Sequence, residues 1–165
     1  ELDLTFTNIV QPALKAISNQ NFDEEVNDVF SQNIDTDYNT GYTETLCGTV
    51  CKDAFNPGEK VRKLTDHIEG SLCKFWNMCL LCEQSSVTEK GLPKIISYKW
   101  KLQESIIDDK SNMLGRKGLY DEIIAVIDDL ITIDHHFPES TLKEAEYLAS
   151  ELDDETLDHL VYQGF

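Results

Sequence analysis

Residues 71–102 read SLCKFWNMCLLCEQSSVTEKGLPKIISYKWKL, and the change of pattern inside this stretch decides the fold. The first half places Cys73, Cys79 and Cys82 within ten residues and shows no helical or alternating period. The second half sets Leu92, Ile95, Ile96 and Trp100, with Ile106 and Ile107 beyond, on one broad helical face. Pro93 stands near the start of that helix, where its missing N–H costs little. A cysteine-bound metal replacing a local apolar core, followed by a long amphipathic helix, is the structure this juxtaposition predicts.

The cysteines give the sharper chemistry. Cys79 and Cys82 have the C-x-x-C spacing that lets two thiolates reach one ion from a tight knuckle. Cys51 and Cys73 would complete a closed tetrahedron of soft ligands, the arrangement of structural zinc. Cys47, four residues before Cys51, is the expected outsider, and Cys47 or His67 is the alternate for a fourth ligand position. Five cysteines are an odd number, and this crowding favours metal over a disulfide framework and a reducing, cytoplasmic setting. The competing readings are buried thiols acting as small hydrophobes and an iron–sulfur cluster, whose common ferredoxin spacings are not matched.

Towards the C-terminus, Gly115 and Gly118 punctuate the chain, and Leu119, Ile123, Val126, Ile127 and Leu130 begin another helix. Pro138 precedes a Thr141 to Glu144 capping box, and Leu142, Ala145, Leu148, Ala149 and Leu152 form an apolar stripe. Leu157, Leu160 and Val161 mark a last amphipathic segment. Towards the N-terminus, Val10, Ala13, Leu14 and Ile17 share one helical face. Phe22, Val26, Val29 and Phe30 follow an Asn21 to Glu24 capping box, and residues 32–45 read as a loop. The expected class is all-α, a helical bundle with a small irregular cysteine-rich zinc knuckle. It is expected to form one domain over residues 1–165, divided into 1–46, the metal-binding insert 47–86, and the bundle 87–165.

Charge sorts the function classes. The net charge of -17 divides into -8 for residues 1–50, +1 for 51–110 and -10 for 111–165. Nucleic acid, if contacted, would therefore meet the central segment, where Lys90, Lys94 and Lys101 are expected on one face of the long helix. A solvated basic face is the plainer explanation. No apolar run reaches the roughly 20 residues of a membrane span. Glu1 in place of a starting Met suggests a piece of a longer protein or a processed product.

The order CKDAFNP at 51–57 and SLCKFWNMCLLCEQSSVTEKGLPKIISYKWKL at 71–102 resembles the cysteine-rich region after the catalytic core in some large bacterial tyrosine recombinases of the phage-integrase family. The shared elements are Cys-x-Asp-x-Phe, a Cys-x5-Cys-x-x-Cys knuckle, a Val-Thr pair and a Leu-Pro helix start, over about a third of the chain. The resemblance implies DNA recombination and integration for the parent protein, and contacts with DNA or another recombinase protomer for this region. It brings no catalysis with it. No histidine here has an arginine three residues later, and Tyr162 reads as a packing residue, not a nucleophile.

Two other patterns carry weaker chemistry. Asp134, His135 and His136 spell the DHH of a phosphoesterase family, without the further ligands or Gly-rich loop such enzymes use. The plain reading is two solvated histidines near a helix C-terminus. The acid pairs Asp108–Asp109 and Asp128–Asp129 read as solvated charge. The expectation is a non-catalytic, zinc-stabilised accessory domain without a small-molecule substrate. Its alternative is a zinc-stabilised protein-interaction domain unrelated to recombination.

Overall fold

The computed structural model describes residues 43–108 and 115–162, so the helices expected over Val10–Ile17 and Phe22–Phe30 lie outside the described residues. The chain divides into two compact units, one containing Thr49–Thr88, the other Leu46–Gly48 and the helices after Glu89.

The cysteine-bearing unit is built from short pieces. Strands β1 (Thr43–Glu44), β2 (Val50–Cys51) and β3 (Ser85–Ser86) form an antiparallel sheet in the order β1-β2-β3, with Thr43 opposite Cys51 and Cys51 opposite Ser85. Helix α1 (Glu59–Leu64) and a 3-10 helix over Trp76–Leu81 complete it. The fold is thus mostly helical but not all-α. Each strand is two residues long, too short to write an alternating pattern into the sequence. Val50, Ala54, Val61, Phe75, Met78, Leu80, Leu81 and Val87 are buried, so this unit holds some apolar core alongside its cysteines.

The second unit is a helical bundle. A 3-10 turn at Glu89–Gly91 leads into α2 (Leu92–Ile107), against which α3 (Lys117–Leu130), α4 (Glu139–Glu151) and α5 (Glu155–Tyr162) all pack. Helix α2 starts as expected, with Pro93 in the first turn. Its buried face is Leu92, Ile95, Ile96, Tyr98 and Leu102, whereas Trp100 is 41% and Ile107 83% exposed. The apolar pattern assigns both to the core, but they project on the side away from the Ile95–Leu102 line. Helix α3 buries Tyr120, Ile123, Val126, Ile127 and Leu130, and α5 buries Leu157, Leu160 and Val161. Tyr120 also donates its hydroxyl proton to the carbonyl of Val161, tying α3 to α5.

Helix α4 departs from expectation at its start. It begins at Glu139 behind Pro138, so Thr141 and Glu144 lie inside the helix instead of capping it, and no side chain caps its N-terminus. The fixed φ of Pro138 sets the entry of the chain into the helix. Leu142, Ala145 and Ala149 are buried while Leu148 and Leu152 are exposed.

Two glycines in this unit meet backbone to backbone. A β-carbon on Gly91 would fall on the carbonyl oxygen of Gly48. Gly48 itself has φ of +98°, and a β-carbon there would stand 2.8 Å from that of Lys94.

Candidate metal centre

Cys51 lies on β2, directly across from Ser85 of β3, and Cys82 sits just before β3, closing the 3-10 helix with its N–H on the carbonyl of Cys79. Two cross-links hold the cysteine loops against one another. The N–H of Cys73 donates to the carbonyl of Ala54 at 2.7 Å, and that of Lys52 to Gln84 at 2.9 Å. Behind Cys51, the Asp53 carboxylate accepts the N–H of Phe55 at 3.0 Å and the amide of Asn56 at 2.7 Å, a local turn that fixes the 51–57 loop.

The consequence is that Cys51, Cys73, Cys79 and Cys82 all line one cavity, together with Asp53, Ala54, Pro57, Val61, Phe75, Trp76 and Ser85. The cavity encloses about 10 Å³, room for one water-sized body. This is the set picked out by spacing in the sequence. Cys47 is fully buried, and neither it nor His67 is among the residues that line the cavity.

The sulfurs are surrounded by backbone donors. Gly58 donates its N–H to the Cys82 sulfur at 3.3 Å, and Gln84 donates to the same atom. Asp53 donates to Cys51, and Phe75 to Cys73. Three cysteines therefore accept an N–H from the residue two positions on, the turn that aims a sulfur and several donors at one point. Such donors favour thiolate, but burial weighs more. Desolvation pushes the Cys51 thiol up to about 11, against the N–H of Asp53, with the neighbouring Cys82 and Cys73 adding to the rise. Burial likewise raises Cys73 and Cys82. No disulfide joins any two of the five cysteines.

The donor set fits zinc in kind and number, with soft sulfur ligands, a site for one body and N–H groups to share the thiolate charge. The spacing is looser than a bound ion would impose. Sulfurs bonded to one tetrahedral zinc lie about 3.8 Å apart, whereas among the described residues the trio of potential ligand atoms gathered within 4.8 Å of one another lies elsewhere, in the helical unit. Closure around an ion would draw these four inward.

Of the lysines expected on one face of the long helix, Lys94 and Lys101 lie on α2, seven residues apart. Lys90 lies in the 3-10 turn before α2, not on that helix. Lys94 pairs with Asp154 at 3.7 Å and Lys101 with Asp158 at 2.7 Å, and Lys99 pairs with Asp128. Three of the central cations are thereby matched to acids of α3, α5 and the residues between α4 and α5. Sequence spacing gives no sign of these partners, which come from 29 to 60 residues away along the chain.

Compared with protein-family models, with curated proteins and with solved structures, the chain finds no match. Among the described residues, no helix is long and apolar enough to cross a membrane.

Proposed function

We propose that the cysteine-bearing unit is a structural zinc module, non-catalytic, that presents a surface for contact with another protein. The observation that carries this reading is the shared cavity of Cys51, Cys73, Cys79 and Cys82. Zinc held by four thiolates has no open position for substrate, so its contribution is to shape the loops around it. A reducing cytoplasm would keep the thiols available for it.

Protein is favoured as the partner for two reasons. Lys94, Lys99 and Lys101 are already engaged by aspartates, which lowers their value to a phosphate backbone. The cysteine-bearing unit also exposes Phe55, Leu64, Ile68 and Leu72, large apolar side chains suited to a protein contact. The motif order shared with tyrosine recombinases favours a second reading, an accessory domain in a recombinase that meets DNA or another protomer through Lys90, Lys94 and Lys101.

Elemental analysis combined with duplex binding by fluorescence anisotropy tests both. The expected result is one thiolate-bound zinc per chain and no duplex binding at physiological salt. A folded chain without metal removes the zinc reading. Binding that falls steeply with salt and is lost on replacing Lys90, Lys94 and Lys101 by Glu restores the DNA reading.

A further inference from the structure

The trio of close ligand atoms in the helical unit is Asp129, His135 and His136, all within 4.8 Å of one another. It forms where α3 ends. The Ile131 N–H closes the helix on Ile127, Thr132 donates its N–H to Asp129 at 3.2 Å and its hydroxyl to Asp128 at 2.8 Å, and His135 donates its N–H to Thr132 at 3.1 Å. Asp134 then takes a left-handed φ of 59°, and its N–H bonds back to the carbonyl of Phe137 at 3.2 Å. Phe137 is buried and anchors the turn.

This path folds two adjacent histidines back onto one carboxylate. His135 Nδ1 lies 3.1 Å from Asp129 Oδ1, and His136 Nε2 lies 2.9 Å from Asp129 Oδ2. The expectation of two solvated imidazoles is corrected here, because the His136 side chain is only 3% exposed. Their ring centroids stand 4.9 Å apart, with both rings against the one carboxylate.

We propose that Asp129, His135 and His136 bind one divalent ion of the zinc class, independently of the cysteines. Two imidazoles and a carboxylate are a borderline-soft donor set, suited to zinc and poor for calcium or magnesium. Ligand atoms on tetrahedral zinc, bonded at roughly 2.0–2.2 Å, stand about 3.3 Å apart. The two N–O distances of 3.1 and 2.9 Å are already close to that, so an ion could replace the bridging protons with small shifts. The C-terminal end of a helix adds partial negative charge. The neighbouring Asp128 is paired with Lys99, whereas among the described residues no lysine or arginine pairs with Asp129. His135 is 57% exposed and Asp129 31%, which leaves the fourth position open to water.

The test is zinc titration of the full chain by calorimetry, after metal analysis has set the starting content. Wild type should take up one equivalent that is lost, or weakened at least tenfold, in His135→Ala and in Asp129→Asn, and retained in His159→Ala. His135 and Asp129 are chosen because the buried His136 could fail to fold when changed, and circular dichroism checks that both variants are helical. Cobalt as a second probe separates the sites: an equivalent without thiolate-to-metal charge transfer belongs to the histidines. Uptake confined to a thiolate site, or a nitrogen–oxygen equivalent unchanged in both variants, overturns the proposal. A chain whose cysteines take no metal but whose His135-dependent equivalent persists upholds it while removing the cysteine reading.

Discussion

The N–H of Gly58 points at the sulfur of Cys82 across 3.3 Å, and a β-carbon on Gly58 would stand 3.5 Å from that sulfur and 3.1 Å from the nitrogen of Glu83. A β-carbon there would be in ordinary contact with the sulfur but tight against the Glu83 nitrogen, which would have to give by a few tenths of an ångström. The sequence motif marks Cys82 but not its partner, 24 residues earlier.

From this geometry, zinc content is expected to separate the cysteines. Cys79→Ser and Cys82→Ser should each lose most of the metal at the thiolate site, since three thiolates hold zinc less tightly than four. Cys47→Ser should keep it. That variant still loses about 1–2 kcal/mol of stability, because a hydroxyl replaces a fully buried thiol. Cobalt charge-transfer intensity, read beside urea midpoints, checks both statements.

The raised thiols predict opposite responses to alkali with and without metal. In the metal-free chain the folded state holds the Cys51 proton up to about 11, above an exposed thiol. The folded state then binds more protons than the unfolded one, so stability is fully present below the unfolded value and falls as pH rises from about 9 to 11. Zinc binding must expel those protons, so affinity should increase with pH and uptake in weak buffer should acidify the solution. Melting in chelator at pH 8 and 10.5 measures the first effect. A melting temperature that rises with pH contradicts it.

Gly91→Ala is expected to destabilise the helical unit by about 3 kcal/mol, because its β-carbon would meet the Gly48 carbonyl, a backbone atom that cannot swing aside. Gly48→Ala should cost a similar amount, combining overpacking with a positive φ. Gly115→Ala also has a positive φ but nothing within 4 Å, so its loss should be nearer 1 kcal/mol. Urea unfolding of the three variants gives the order.

The Lys101 and Asp158 pair is partly exposed, and a double-mutant cycle to Ala at both positions should return a coupling of about 0.2–1 kcal/mol that shrinks at high salt. Zero coupling at low salt would return Lys101 to the pool of cations available to phosphate.

The features legible in the sequence are those whose meaning is local. Spacing alone groups Cys51, Cys73, Cys79 and Cys82, and helical period places α2, α3 and α5 and most of their buried faces. Trp100 escapes this logic because apolar character does not fix position: eight residues of helix after Leu92 rotate it about 80° to the far edge of the face. The Thr141 to Glu144 box matches a cap in type, but Pro138 fixes the helix start before it. His135 and His136 read as solvated because the backbone turn at Asp134, and hence the return to Asp129, is invisible to periodicity.

The brevity of β1, β2 and β3 has a consequence for self-association. A strand recruits another chain when its free edge offers a long row of unsatisfied backbone groups, the template for fibrils and swapped dimers. At two residues per strand, the described part of this sheet offers too few such groups to seed a growing ladder. Clumping of the cysteine-bearing unit would therefore proceed through side chains such as Ile68, 72% exposed, and yield amorphous precipitate in place of ordered fibres.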